Sequence, residues 1–138
     1  RDFWEEIHRL SAAGITILVS THYMDEAERC HRLAYIAYGN LLVSGTSEEI
    51  VASQQLETWV LTGSGVHDRV EALRQLSGVE QVTTYGTMLH VSGTDQELLA
   101  TSLTSYANAQ GLHCERGTST LEDAFIHLMR DARDQFGA

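Results

Sequence analysis

The sequence contains no proline and only two cysteines in 138 residues. Without proline, the turns have to be formed by glycine, asparagine and serine. Cys30 and Cys114 are far apart and form no CxxC pair, so they predict two reduced, buried thiols and no structural zinc site. The longest clear apolar run is Ile15–Val19, far short of the roughly 20 residues of a membrane-spanning helix. These absences argue against metal binding by the chain and against direct membrane insertion.

Basic residues are scarce as well. The chain has nine Arg and Lys residues against nineteen Asp and Glu residues, so its net charge is 9 − 19 = −10 with histidine neutral. Such a surface repels a phosphate backbone, and direct nucleic-acid binding is therefore not expected. With 43% hydrophobic and 20% charged residues, the composition is that of a folded globular chain and not of a disordered tail.

The beginning of the chain has the pattern of half a βαβ unit. Phe3, Ile7 and Leu10 recur at helical spacing and predict an amphipathic helix that ends near Gly14. The β-branched run Ile15–Val19 follows at once and predicts a strand covered on both faces, as in a parallel sheet. A helix that feeds such a strand is typical of α/β proteins.

A hairpin and a short helix are predicted next. Two apolar runs within residues 33–43 flank Gly39-Asn40, which is a strong hairpin signal. Thr46 and Glu49 predict a capping box that begins a short helix. Residues 1–54 contain no complete core of their own, so we expect them to be part of a larger sheet.

Residues 55–138 have a separate pattern. Strands are predicted at 56–62, 79–85, 88–92 and 112–116, and helices at 66–76, at 94–111 and from 119 onwards. Capping boxes are predicted for Thr94 with Glu97 and for Ser119 with Glu122. The order β-α-β-β-α-β followed by a helix is that of the split βαβ, or ferredoxin-like, fold. We therefore expect an α/β chain that ends in a small α+β ferredoxin-like domain.

His22 is the main candidate for chemistry. It follows the predicted strand at its carboxyl end, where open α/β sheets bind ligands. An imidazole there can donate a hydrogen bond to a phosphoryl oxygen and stabilise charge that develops on it. Judged by position alone, a capping or surface role is the more common outcome for such a histidine. His90 and His127 lie in a predicted strand and in the terminal helix, and no nucleophile or metal-ligand set accompanies them.

Other candidates have structural explanations. Glu26 and Glu28 are two positions apart on a predicted helix, so they face different directions and are expected to be solvated. Trp4 and Trp59 are expected to pack in a core or an interface.

One stretch closely resembles the switch segment, or H-loop, of ABC transporter ATPases. It reads Ile17-Leu18-Val19-Ser20-Thr21-His22-Tyr23-Met24-Asp25-Glu26-Ala27-Glu28. The likeness continues through Arg32, Leu33, Gly39, Leu41, Gly45, Thr46 and Glu49. His31 and Ser47 depart from the Asp and Pro common in the family, at a helix end and at a first helical position. The segment 119–125 also resembles the one that closes many exporter ATPase subunits.

The resemblance implies that residues 1–54 are the C-terminal part of an ABC nucleotide-binding domain that includes the H-loop, and that residues 55–138 are an accessory C-terminal domain. It implies that His22 is catalytic and contacts the γ-phosphate of ATP in a full-length ATPase that uses Mg²⁺ and drives transport. The form of the motif is most similar to that of exporter subunits, so the expected direction is export. A phosphate loop, a signature motif and a strand ending in Asp-Glu do not occur in these 138 residues. We therefore expect this chain alone to be inactive and to bind neither ATP nor metal.

The resemblance also implies partners and a location. A membrane-spanning permease subunit and a second copy of the ATPase subunit are the expected partners, at the cytoplasmic face of the cell membrane. For residues 55–138 three roles stay open: a dimer contact, a regulatory small-molecule site, or a stabilising cap. An alternative for the whole chain is a regulatory or dimerisation module with a ferredoxin-like fold and no catalytic role. The resemblance further implies that the permease chooses the transported substrate.

Overall fold

The computed structural model describes residues 2–137. The helices are α1 Asp2–Ala12, α2 Met24–Ala27, α3 Ser47–Ser53, α4 Val70–Arg74, α5 Gln96–Gln110 and α6 Leu121–Phe136. The strands are β1 Leu33–Ala37, β2 Asn40–Gly45, β3 Glu57–Thr62, β4 Gln81–Tyr85, β5 Met88–Gly93 and β6 His113–Gly117. A 3₁₀ helix, Val66–Arg69, leads into α4. Among the residues described, no helix combines the length and apolar content that crossing a membrane requires.

Helix α1 confirms the first predicted helix. It buries Trp4, as expected for a packing tryptophan, while Ile7 and Leu10 are half-buried. Phe3 is different, because its side chain is 59% exposed. The chain leaves the helix through Gly14, whose φ of 98° lies in the left-handed region that favours glycine.

The strand predicted over Ile15–Val19 is absent. Residues 15–20 have no regular structure, and the side chains of Ile15 and Leu18 are 49% and 96% exposed. A strand requires a neighbour that completes its ladder of hydrogen bonds. Both sheets within residues 2–137 are formed by other segments. The prediction of a strand is therefore wrong for this chain, because β-propensity alone does not supply a pairing partner.

Strands β1 and β2 form the predicted hairpin. Its two turn residues, Tyr38 and Gly39, have φ angles of 53° and 72°, the signature of a type I′ turn. The turn thus lies one residue earlier than the predicted Gly39-Asn40. The pairing shifts between Tyr35 and Ile36, which is a β-bulge.

The second sheet has four antiparallel strands in the order β4-β5-β3-β6. The predicted sequence of elements, β-α-β-β-α-β and then a helix, is present. Helices α4 and α5 cover one face of this sheet and bury the first core cluster. Its buried members are Leu61, Val66, Leu73, Leu89, Val91, Leu99, Leu103, Ala107 and Leu112.

Helix α6 packs between the other face of this sheet and the N-terminal elements. A second core cluster joins α6 to α2 and α3 and consists of Ala27, Ile50, Leu121, Ala124 and Phe125. Towards the sheet, Gln81 Nε2 donates a hydrogen bond of 2.9 Å to the carbonyl of Asp123. Helix α6 thus contacts elements on both sides of the predicted boundary between residues 54 and 55.

The start of α5 differs from the predicted capping box. Asp95 is the N-cap and accepts a hydrogen bond from the Leu98 amide, so the Thr94–Glu97 box is wrong. Thr94 instead donates its amide and hydroxyl to Glu80 Oε2, at 2.8 and 2.6 Å. Thr94 therefore bonds to the Glu80 carboxylate and does not cap helix α5.

The start of α6 is displaced by one residue. The capping box is formed by Thr120 and Asp123, so the predicted Ser119–Glu122 box is wrong. The Ser119 hydroxyl instead lies 2.7 Å from Thr58 Oγ1 in strand β3. By contrast, the predicted Thr46–Glu49 box of α3 is confirmed.

The two cysteines are free thiols, as predicted, but both are half-buried rather than buried. Burial, with smaller contributions from Glu26 and Glu115 respectively, raises the pKa of the Cys30 and Cys114 thiols. Both are therefore poorly reactive near neutral pH.

Candidate functional site

His22 lies in an exposed bend directly before helix α2. Its ring packs beside the ring of Tyr23, with 4.1 Å between centroids and 34° between planes. Among the described residues, the ring nitrogens of His22 make no hydrogen bond. The imidazole can therefore donate to, or accept from, a ligand that approaches this bend.

Thr21 holds the bend that presents His22. Its hydroxyl donates a 2.6 Å hydrogen bond to Glu26 Oε1 and accepts one of 3.0 Å from the Tyr23 amide. Such hydrogen bonds between a threonine side chain and a following amide stabilise turns. Glu26, expected to be solvated, is half-buried and serves this bend, whereas Glu28 is exposed.

Magnesium has no ligand set here. Within residues 2–137, no three His, Cys, Asp or Glu side chains converge as metal ligands would. The surroundings of His22 therefore fit a phosphate oxygen, which needs a single donor, better than a hard cation, which needs several oxygen ligands.

His90 belongs to a buried polar cluster that the sequence analysis missed. His90 Nδ1 lies 3.0 Å from Asp123 Oδ2, and its ring packs beside that of Tyr85, with 4.2 Å between centroids and 39° between planes. The Tyr85 hydroxyl lies 2.8 Å from Thr120 Oγ1. Burial, offset in part by that hydrogen bond, raises the pKa of Tyr85 to about 12. A histidine within a mostly apolar strand was the available signal.

His127 also has partners that sequence reasoning did not find. Its Nδ1 lies 2.8 Å from Gln54 Oε1 and its Nε2 lies 3.2 Å from Glu80 Oε1. Arg130 binds the Glu80 carboxylate and its backbone carbonyl as well. Burial opposes ionisation of Glu80, but hydrogen bonds from Thr94 and His127 outweigh it and lower its pKa. These contacts fasten α6 to the segment before β4 and contain no nucleophile.

Trp59 packs against the first core cluster, as predicted for a packing tryptophan. The guanidinium of Arg116 lies 5.9 Å from the centre of its ring and also forms an ion pair with Glu57. Arg116 is therefore held against its own sheet.

Known proteins match nearly the whole chain. It is 33% identical to Nod factor export ATP-binding protein I of Ralstonia nicotianae over 95% of its length, and 30% identical to linearmycin resistance ATP-binding protein LnrL of Bacillus subtilis over 94%. Over 52 residues it is 42% identical to the probable multidrug ABC transporter ATP-binding protein YbhF of Escherichia coli. That match covers 38% of this chain and 9% of YbhF. This chain belongs to the ABC transporter ATP-binding proteins. The predicted family is confirmed.

The chain spans less than half the length of the relatives that it matches throughout. It covers 42% of the Ralstonia protein and 45% of LnrL. No family model matches the sequence, and no solved structure matches it. The exposed His22 lies in the segment whose sequence resembles the H-loop of ABC transporter ATPases.

Proposed function

We propose that this chain is the C-terminal part of an ABC transporter ATP-binding subunit whose full-length form hydrolyses ATP to drive export. In that subunit, His22 contacts the γ-phosphate of ATP and stabilises the charge that develops on it during hydrolysis. The observation that carries this proposal is the exposed His22 ring, which has no hydrogen-bond partner within residues 2–137. It lies in a bend held by Thr21, directly after an apolar segment.

The segment before His22 supports the same proposal. Residues 15–19 have strand-type composition, yet they pair with no strand in the part of the chain that the structure describes, and Leu18 is 96% exposed. A solvent-exposed run of this kind is expected when its pairing strands belong to another part of the polypeptide. In our proposal, those strands lie in the rest of the nucleotide-binding domain, which also supplies the phosphate loop and the Mg²⁺ ligands. That pairing would place His22 at the carboxyl end of a sheet strand.

For residues 55–138 we propose a ferredoxin-like accessory domain, with residues 1–54 completing the nucleotide-binding domain. The strand order β4-β5-β3-β6, antiparallel throughout, and the two helices on one face support this fold. The second core cluster supports close packing of its terminal helix on the ATPase part.

Export and the partners are also proposals. The Ralstonia relative carries export in its name, and we extend that direction to this chain. We propose a membrane-spanning permease subunit and a second ATPase copy as partners, at the cytoplasmic face of the membrane. The role of the accessory domain that we favour is a contact between the two copies.

ATP turnover of the full-length subunit tests the role of His22. We expect His22→Ala to lower turnover by roughly 10²–10³-fold, the scale for loss of one donor to a transition-state oxygen. ATP binding should be largely retained. The matched control is His31→Ala, another exposed histidine nine positions further along, which should leave turnover unchanged. Equal turnover of wild type and His22→Ala would overturn the proposed role. Micromolar ATP binding by the 138-residue chain alone would contradict our proposal that the rest of the nucleotide-binding domain supplies the phosphate loop.

A further inference from the structure

Strand β6 forms an open edge of the four-stranded sheet. Within residues 2–137 its only strand partner is β3, and its residues are exposed apart from Cys114, which is half-buried. The pairing with β3 runs without a bulge from Thr58↔Gly117 to Thr62↔His113. The outer edge therefore presents regularly spaced, unpaired backbone groups that another strand can use.

Three of the features that usually block an edge are missing from β6. Proteins protect such edges with proline, with lysine or with a bulge. The chain contains neither proline nor lysine. The one arginine of the strand, Arg116, is turned back onto Glu57 and Trp59. The edge is thus open to pairing.

The polar side chains of β6 are complementary to themselves in one twofold register. His113 and Glu115 lie on the same face of the strand, with His113 Nε2 3.0 Å from Glu115 Oε2. If two copies pair antiparallel about Cys114, His113 of each copy lies opposite Glu115 of the other. Centring on Glu115 would instead oppose two like charges, which destabilises a sheet.

We propose that two copies of this chain pair edge to edge through strand β6, antiparallel and centred on Cys114. The four strands of each copy would then form one continuous sheet of eight strands. The inference rests on the proposed function only in that two subunits act together. One short edge buries little surface, so the free dimer is weak, and a shared permease would strengthen it by raising the effective concentration.

Cys114 provides a direct test of this register. In a twofold pair centred on it, its two copies face each other within the Cα separation of about 4.4–6.8 Å that a disulfide needs. We expect the Cys30→Ser chain to form a covalent, thiol-reversible dimer when oxidised with copper phenanthroline at alkaline pH, which offsets the raised pKa of the Cys114 thiol and populates its thiolate. The matched Cys114→Ser chain, which keeps Cys30, should stay monomeric.

A thiol at position 116 in place of position 114 tests whether random collisions between chains explain the disulfide-linked dimer. In a Cys30→Ser/Cys114→Ser background, Arg116→Cys places a thiol on the same strand face, but its two copies would lie roughly 14 Å apart along paired strands. We expect at least a tenfold slower crosslink at that position. Equal rates at 114 and 116 would overturn the proposal.

Charge variants complete the test. In the Cys30→Ser chain, His113→Glu sets two carboxylates opposite each other in each pair and should abolish the crosslink. The swap His113→Glu/Glu115→His should restore it. His67→Glu makes the same change at another exposed histidine and should have no effect. A crosslink insensitive to His113→Glu, or not restored by the swap, would refute edge pairing, whereas the ATP-turnover test of His22 is independent of both results.

Discussion

His90 in strand β5 contacts Asp123 in helix α6 across a buried interface, with 3.0 Å between Nδ1 and Oδ2. The same Asp123 carboxylate also accepts the Thr120 amide, so one fully buried side chain both begins the helix and fixes it to the sheet. Its other oxygen, Oδ1, is buried with no hydrogen-bond partner among the described residues. The site is therefore sensitive to any change at position 123.

Asp123→Ala should strongly destabilise the chain. It removes the carboxylate half of the capping box and leaves the buried His90 without its partner, so we expect the free energy of unfolding to fall by about 2–4 kcal/mol. Urea unfolding followed by circular dichroism measures this. Glu122→Ala, at the adjacent exposed position, should change it by less than about 0.5 kcal/mol. Similar values for the two variants would contradict the structural role of Asp123.

Glu80 should make stability depend on pH in the acid range. Its pKa is lowered in the folded chain from an ordinary value of 4.5. The carboxylate therefore contributes stability above the unfolded pKa, and this contribution is lost as the pH falls through the folded pKa. Urea unfolding between pH 7 and pH 3 should show a smaller loss for Glu80→Gln than for wild type.

The control for Glu80 is Glu71→Gln, which removes an exposed carboxylate that pairs only with Arg74 in the described part of the chain. Its pH dependence should match that of wild type, because exposed ion pairs contribute little. If Glu80→Gln and wild type lost stability in parallel on acidification, the hydrogen bonds from Thr94 and His127 would not have the effect assigned to them.

Ile50→Ala tests the packing of α6 on the N-terminal elements. Ile50 is fully buried in the second core cluster, so its truncation should cost about 2–5 kcal/mol of unfolding free energy. Ile36→Ala is the same chemical change at a side chain that is 67% exposed, and it should cost less than about 0.5 kcal/mol. Thermal or urea unfolding distinguishes them. Equal costs would mean that α3 and α6 do not share a core.

Leu18→Ser should affect the stability of this chain and of the full-length subunit differently. With its side chain 96% exposed, the change should leave the unfolding free energy of this chain within about 0.5 kcal/mol of wild type. In the full-length subunit, where we propose that residues 15–19 enter a sheet, it should cost at least about 2 kcal/mol. Unfolding of both proteins, with and without the substitution, gives the comparison. Equal tolerance in both would argue against that placement.

Local patterns predicted many of the elements. The pattern from residue 119 onwards predicted α6, and Gly39-Asn40 predicted the hairpin of β1 and β2 that the structure contains. The start of α6 is not set by local pattern, because Thr118-Ser119-Thr120 offers three hydroxyls at neighbouring positions. Which of them caps the helix depends on Thr58, which is more than fifty residues earlier and engages Ser119.

The polar contacts of the core could not be predicted from the sequence. His90 and Asp123 are 33 positions apart, and His127 and Glu80 are 47 apart. Periodicity describes which face of an element is apolar. It carries no information on which two faces meet, so the partners of both histidines were missed.

By itself, the sequence determined the family resemblance, the candidate His22 and the order of strands and helices, because each is encoded by neighbouring residues. The tertiary structure decided which predicted strand fails to form, which hydroxyl caps α6 and how α6 joins both parts of the chain. Those outcomes depend on pairing and burial between distant segments. Residues 15–19 show the difference most clearly, since their composition favours a strand and the described chain offers no neighbour to complete it.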